Sequence, residues 1–224
     1  SAIGYYGSQG DVPLTEEAPA GEGFLAEVCE AWEDAAAPAS RAGIRVVHPR
    51  FGLVLAGDGG LLPILTRVFR AGVGGPLGSG RQIMSWIGLD DLVGVLLAAI
   101  VDERLDGPLN AVAPGSGSNA AFSHTLARVL RRPALVRTPA SLMRLAAGQL
   151  ADELILASQR VVPSRLAAVG FRFAFPELED ALRHELGLIR GMNEGSVSLH
   201  DPRTSSTGTR PQTAIPSPQT TRFR

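Results

Sequence analysis

The sequence holds a single cysteine, Cys29. That excludes an internal disulfide and a cysteine-built zinc cage, and it suits a reducing, cytoplasmic setting. The four histidines, His48, His124, His184 and His200, lack the spacing of metal ligands, so no metal is expected. No sign of charge dominates: 21 Lys+Arg face 22 Asp+Glu, for a formal net charge of −1. This argues against a nucleic-acid or anionic-membrane surface. Long hydrophobic runs are missing as well. The longest, residues 92–101, includes Gly94 and is far short of a membrane span. The first residues carry neither the charged region nor the apolar region of a signal peptide. The chain starts on Ser1 rather than Met, which fits a piece of a longer protein.

What is present is enough for a core: 45% of the residues are hydrophobic and 19% are charged. The most distinctive stretch is residues 74–92. A glycine-rich loop leads to Arg81 and Gln82, then to Trp86, then to Asp90 and Asp91 at the start of an apolar segment. Glycines permit positive φ and close backbone approach, and Arg and Gln donate to phosphates or hydroxyls. The stretch reads as one wall of a ligand site. Asp90 reads as the cap of the helix that follows and Asp91 as an acid in its positive first turn.

Helical spacing of Phe24, Val28, Ala31, Trp32 and Ala35 predicts a helix over 24–37, closed by Pro38. Residues 44–50 are β-branched and mostly apolar, as in a buried parallel strand. Further helices are expected over 61–71, 90–101 and 119–130, the second so apolar that it should be buried on most sides. A short strand falls at 109–112. Helices alternating with short buried strands make an α/β fold with parallel strands. Beyond residue 133 the character changes. Helical pieces are expected at 140–150, 154–160, 164–169 and 177–186, and an exposed alternating strand at 170–175. The organisation is thus a first domain over 1–133, a small, mainly helical C-terminal domain over 134–188, and a tail over 189–224 whose composition is that of a disordered segment.

Four segments carry a resemblance: Ser1-Ala2-Ile3-Gly4-Tyr5-Tyr6-Gly7, Arg50-Phe51-Gly52-Leu53-Val54-Leu55, the stretch 74–91, and Asn110-Ala111-Val112-Ala113-Pro114. Their order and content resemble the atypical extended short-chain dehydrogenase/reductases, in the group labelled epimerase family proteins. Ser158-Gln159-Arg160-Val161 and Gly170-Phe171-Arg172-Phe173 resemble that group's C-terminal domain of unknown function. The resemblance covers about residues 1–187. It implies the C-terminal part of a Rossmann-like NAD(P)-binding fold. Such proteins begin with a Gly-rich turn that receives the cofactor pyrophosphate on a helix N-terminus. This sequence has no Gly-x-Gly-x-x-Gly, so the phosphate site would belong to absent residues.

The resemblance also implies the site. The superfamily's Tyr-x-x-x-Lys pair would fall on Phe24 and Val28, neither of which can do its chemistry. Ser1 occupies the place of the superfamily serine, and Tyr5 or Tyr6 would supply a phenol in the missing tyrosine's stead, Tyr5 being the catalytic candidate. Phe51, Gly52 and Val54 would meet the nicotinamide of NADP or NAD. Tyr6, Arg81, Gln82 and Trp86 would face an unknown small-molecule substrate. Gly88 stands where the group commonly has histidine. The functional expectation is an NAD(P)-binding oxidoreductase- or epimerase-like protein. Its rivals are a non-enzymatic cofactor-sensing or interaction protein and an inactive truncated product.

Overall fold

Strand β2 (Val47–Phe51) is the axis of the molecule. The computed structural model describes residues 1–139, 141 and 156–188. β2 runs parallel to β6 (Gly107–Ala111), with Val47 beside Gly107 and Phe51 beside Ala111. On the other edge Ala2 forms a parallel bridge with Phe51, and the Phe51 N–H donates to the Ser1 carbonyl. The chain then switches partners. After Gly52, strand β3 (Leu53–Leu55) pairs in parallel with β5 (Trp86–Gly88). Gly52 permits the switch because a Cβ there would lie 2.7 Å from Val112 Cγ1 and 2.8 Å from the Ser85 carbonyl oxygen.

Four helices precede or flank these strands: α1 (Phe24–Asp34), α2 (Ala37–Arg41), α3 (Leu61–Arg70) and α4 (Leu89–Val101). Helix α5 (Asn119–Leu130) follows β6 and is capped by the Ser118 hydroxyl, which accepts from the Ala121 N–H at 3.1 Å. In α3, Leu62, Thr66 and Phe69 are buried at helical spacing. Beyond residue 155 come a two-residue strand (Arg160–Val161), α6 (Ser164–Ala168) and α7 (Leu178–Glu185). Three apolar clusters result among the described residues. One joins Leu55, Leu62, Phe69, Trp86, Phe122 and Leu182. A second joins Ile87, Leu92, Val95, Leu109 and Leu166. The smallest joins Tyr6, Leu14, Val112 and Val161. Each such fully buried side chain contributes roughly 1.5–3 kcal/mol.

Several sequence expectations need correction. The helix expected over 24–37 ends at Asp34; Pro38 does not close it but sits in the first turn of α2, where its missing N–H costs nothing. Helix α4 buries Leu92, Val95 and Ala99 but leaves Leu97, Ile100 and Val101 exposed among the described residues, so its apolar character is not matched by burial on most sides. Asp90 is not its cap. Gly88 holds that position in an extended conformation, and both aspartates lie in the first turn. The expected strand at 170–175 is absent, because the Ala174 and Phe175 N–H groups donate to the Asp91 carboxylate instead of to a neighbouring strand. Its alternation has another cause: the Phe171 and Phe173 rings meet edge to face at 4.9 Å and pack on the second core.

Residues 156–160 are not helical. Arg160 and Val161 pair in parallel with the two-residue strand β1 (Pro13–Leu14). One pairing is antiparallel, between Ile83–Met84 and Gly117–Ser118. The expected helix at 140–150, and the expected disorder of 189–224, lie outside the described residues. Ser1–Arg190 forms one unit; residues from Gly191 on form a second that is not described. Among the described residues no helix is long and apolar enough to cross a membrane.

Candidate functional site

The carboxyl end of β2 divides two environments. Arg50 points to one and Phe51 to the other, as alternation along a strand requires.

On the Arg50 side lies a polar network. The Arg50 guanidinium grips the Glu33 carboxylate with two bonds, Nε to Oε1 at 2.8 Å and Nη2 to Oε2 at 2.7 Å. Its Nη1 donates to the Tyr6 hydroxyl at 2.8 Å, and that hydroxyl donates to Asn110 Oδ1 at 2.7 Å. The Ser1 hydroxyl donates to Glu33 Oε1 at 2.7 Å. The guanidinium lies 3.4 Å from the centre of the Tyr5 ring, a cation–π contact. Asn110 also donates through Nδ2 to the Leu14 and Val162 carbonyls. Burial raises the Tyr6 phenol above its ordinary value and outweighs the opposing bond from Arg50. Burial would also raise the Glu33 carboxyl, but the bonds from Arg50 and Ser1 prevail and hold it below the ordinary carboxylate value. Arg50 itself is raised: burial lowers it, and Glu33 and Tyr6 more than compensate.

On the Phe51 side lies a cavity of about 360 Å³. Phe51, Gly52, Leu53 and Val54 form its floor, and Val28 and Trp32 of α1 one wall. Leu61 and Leu65 of α3, Leu77 and Ile83, and Phe122 and Ser123 of α5 close the other sides. From beyond residue 155 come Ala157 and Gln159. Among the described residues no Asp, Glu, His, Arg or Tyr side chain lines it, and the sequence contains no lysine at all.

The expected site residues therefore separate into groups. Phe51, Gly52 and Val54 come together at the cavity. Ser1, Tyr5 and Tyr6 come together in the network, where the Ser1 and Tyr6 hydroxyls are already bonded. Gln82 is buried, donating through Nε2 to the Leu77 carbonyl at 3.1 Å. Arg81 is exposed and off the cavity lining. Trp86 is buried, donates from Nε1 to the Gly115 carbonyl, and borders a smaller cleft of about 190 Å³ with Met84 and Phe122. At the place of the superfamily pair, Phe24 is exposed while Val28 lines the cavity.

The glycine-rich loop has a structural explanation. A Cβ at Gly74 would collide with the Phe69 ring at 2.4 Å, and one at Gly75 with the Val136 carbonyl oxygen at 2.3 Å. Residues 136–138 lie along the loop, with the Thr138 N–H donating to the Pro76 carbonyl and the Gly78 N–H to the Thr138 carbonyl. Only Gly75 and Leu77 of this loop reach the cavity.

Sequence reasoning missed Glu33, Asn110 and Gln159. Glu33 belongs to no motif. Asn110 stood in a quoted segment, and its strand position beside Arg50 was the available signal. Gln159 donates through Nε2 to the Ile3 and Gly7 carbonyls, and its own carbonyl accepts from the Ser85 hydroxyl at 2.8 Å. It thereby ties the Ser158-Gln159-Arg160-Val161 motif to the floor of the site.

Parallel strands with flanking helices and a cavity at the carboxyl end of β2 define a Rossmann-like α/β fold of the short-chain dehydrogenase/reductase type. The comparisons agree. The family model "Domain of unknown function (DUF1731)" matches residues 138–185. The epimerase family protein Mb2239 of Mycobacterium bovis is 43% identical over 182 residues, 81% of this chain and 60% of that protein. The crystal structure of the human epimerase family protein SDR39U1 with NADPH superposes with a TM-score of 0.77 at 34% identity, covering 84% of this chain and 63% of that one. A nucleoside-diphosphate sugar epimerase from Corynebacterium glutamicum is 44% identical with a TM-score of 0.68, over 84% of this chain and 36% of that one. Over 81–84% of its length the chain is similar to epimerase family proteins of the atypical short-chain dehydrogenase/reductase type. It spans 52–62% of the length of these curated relatives.

Proposed function

We propose that this chain supplies the nicotinamide and substrate side of an NAD(P)(H)-dependent oxidoreductase- or epimerase-like protein. The observation that carries the reading is the cavity at the carboxyl end of β2, floored by Phe51, Gly52 and Val54. Ligands of Rossmann-like folds bind outside the carboxyl ends of the strands. The human relative is described with NADPH. Apolar walls suit a dihydronicotinamide face, so the residues present fit that end of the cofactor. They do not fit its pyrophosphate, for which the sequence has no Gly-x-Gly-x-x-Gly turn. When bound, the cofactor supplies or accepts a hydride. Phe51 and Val54 would position its ring and exclude water. No residue at the Phe24/Val28 pair can move a proton. Tyr5 is the phenol left for that role, although its ring packs on Arg50 and lies off the cavity lining among the described residues.

The test is a titration of the purified chain with NADPH and with reduced nicotinamide mononucleotide, following the fluorescence of Trp32 at the cavity wall. Both ligands are expected to saturate with similar affinity, because the second phosphate and the adenosine find no site here. Lack of saturable binding by either ligand up to millimolar concentration sinks the reading.

A second reading, a non-enzymatic cofactor-sensing or interaction protein, is favoured by one observation: no acid, base, histidine or tyrosine side chain lines the cavity among the described residues. A carbonyl-substrate screen with NADPH separates the two. Turnover that collapses in Tyr5→Phe supports the enzyme; cofactor binding without turnover supports the sensor.

A further inference from the structure

Among the described residues the polar groups of the cavity are few, and most are already used. Ser85 Oγ donates to the Gln159 carbonyl and accepts from the Val161 N–H at 2.9 Å. Asn119 Oδ1 accepts from the Leu77 N–H at 2.7 Å, and its Nδ2 faces Met84 Sδ. The Cys29 thiol reaches the Ala2 carbonyl at 3.6 Å. Gln159 Nε2 donates to two backbone carbonyls. What remains is the Ser123 hydroxyl on α5, which makes no hydrogen bond among the described residues, and Gln159 Oε1.

A nucleoside-diphosphate sugar carries at least two negative charges and many hydroxyls. Sites for such groups use Arg or Lys forks, and a diphosphate left without them in an apolar cavity pays a prohibitive desolvation cost. Here every charged side chain of the described residues lies off the lining. Two arginines of the expected site are committed elsewhere or face outward: Arg50 is locked onto Glu33 and Tyr6, and Arg81 is exposed. Val28 continues the pattern. At the position that would carry the superfamily's lysine, it adds a methyl-bearing wall.

We infer that the substrate cavity between α1, α3 and α5 takes an uncharged, largely apolar ligand with a single carbonyl or hydroxyl, held by the Ser123 hydroxyl, and not a nucleotide sugar. The inference rests on reading this cavity as the reaction cavity. It narrows the substrate class to small hydrophobic ketones, aldehydes or alcohols. A cavity of about 360 Å³ accommodates a molecule of one or two fused rings.

The experiment uses the full 224-residue chain. The probe is prodan, an uncharged naphthyl ketone whose emission shifts to the blue in apolar surroundings. Saturable binding is expected. Val28→Trp, which fills the cavity from α1, and Leu65→Trp, which fills it from α3, should each weaken binding by about tenfold or more. Ser123→Val, which removes only the hydroxyl, should weaken it by roughly threefold to tenfold. UDP-glucose at millimolar concentration should leave the probe in place. Displacement by UDP-glucose overturns the inference, and so does binding unchanged in either tryptophan variant whose circular dichroism matches the parent. Should one tryptophan variant fail to fold, the other and the UDP-glucose competition on the parent chain still decide. Prodan binding without any nicotinamide binding would sink the cofactor reading and leave standing only the cavity's preference for an uncharged apolar ligand. Nicotinamide binding with displacement of prodan by UDP-glucose would do the reverse.

Discussion

The two sides of β2 are built on opposite principles. The Arg50 side is charged, half-buried to buried, and saturated with hydrogen bonds: the guanidinium makes two bonds to Glu33 and one to Tyr6. The Phe51 side is apolar, hollow, and among the described residues nearly free of polar groups that are not already paired. The difference teaches where ligand chemistry can occur. A buried network whose members satisfy one another is costly to open and fixes geometry. A cavity with one spare hydroxyl has room and an unmet preference. Tyrosines in a family motif invite a catalytic reading, but Tyr6 spends its hydroxyl on Arg50 and Asn110 and serves the scaffold.

The comparison breaks most severely at Arg50. Arg50→Met would leave Glu33 partly buried without its cation and strip the Tyr6 hydroxyl of its donor. Breaking a buried ion pair from one side costs about 3–5 kcal/mol. Because Glu33 keeps some exposure, the lower end of that range is expected. Denaturant unfolding of the parent and variant chains measures it. The apolar side answers next. Gly52→Val would push side-chain atoms into Val112 and the Ser85 carbonyl, and overpacking of this kind costs about 1–3 kcal/mol. It should also abolish prodan binding, whereas Arg50→Met at a temperature where it remains folded should change that binding little.

Much of this division was legible in the sequence. The α/β pattern, the strand ending at Arg50-Phe51 and the helices over 61–70 and 119–130 follow from the alternation of apolar helices with β-branched stretches. Gly52 was readable as a point of close approach, although the approach is to Ser85 and Val112 of the protein. Other parts were not readable, because they depend on partners far away in the chain. Phe171 and Phe173 alternate like a strand, and only the Asp91 carboxylate, more than eighty positions earlier, explains why they form none. Glu33 looks like any surface acid of an amphipathic helix until α1 is laid over β2. Gln82 carried a donor suited to a ligand, and the fold turned it onto the Leu77 carbonyl.

Asp91 gives a third and smaller test. Its two oxygens accept from the Ala174 N–H at 2.6 Å and the Phe175 N–H at 3.0 Å, joining α4 to the segment before α7. Asp91→Asn keeps the shape but replaces one acceptor by a donor facing an N–H. The expected loss is about 1–2 kcal/mol. It should appear as faster amide exchange at 174 and 175, with prodan binding unaltered. Equal protection in both proteins would show that the carboxylate does not hold this segment.

The smallest effect sharpens the comparison through pH. Glu33 titrates below its ordinary value of 4.5 in the folded chain. A carboxyl with a depressed folded value favours the folded state above its unfolded value, and that contribution is lost as pH falls through the folded value. Its share of stability is therefore complete above 4.5 and disappears in the acid range below it. Glu33→Gln removes the titration. The stability gap between parent and variant should be constant from neutral pH down to about 4.5 and then close. Partial exposure of Glu33 keeps the titrating part to about 1 kcal/mol or less. Thermal melts of both proteins across this range check it, and a gap that persists unchanged into strong acid would remove Glu33 from the network's electrostatics. The Phe51 side has no matching term: no acid lines the cavity among the described residues, so prodan affinity should stay level over the same range as long as the chain is folded.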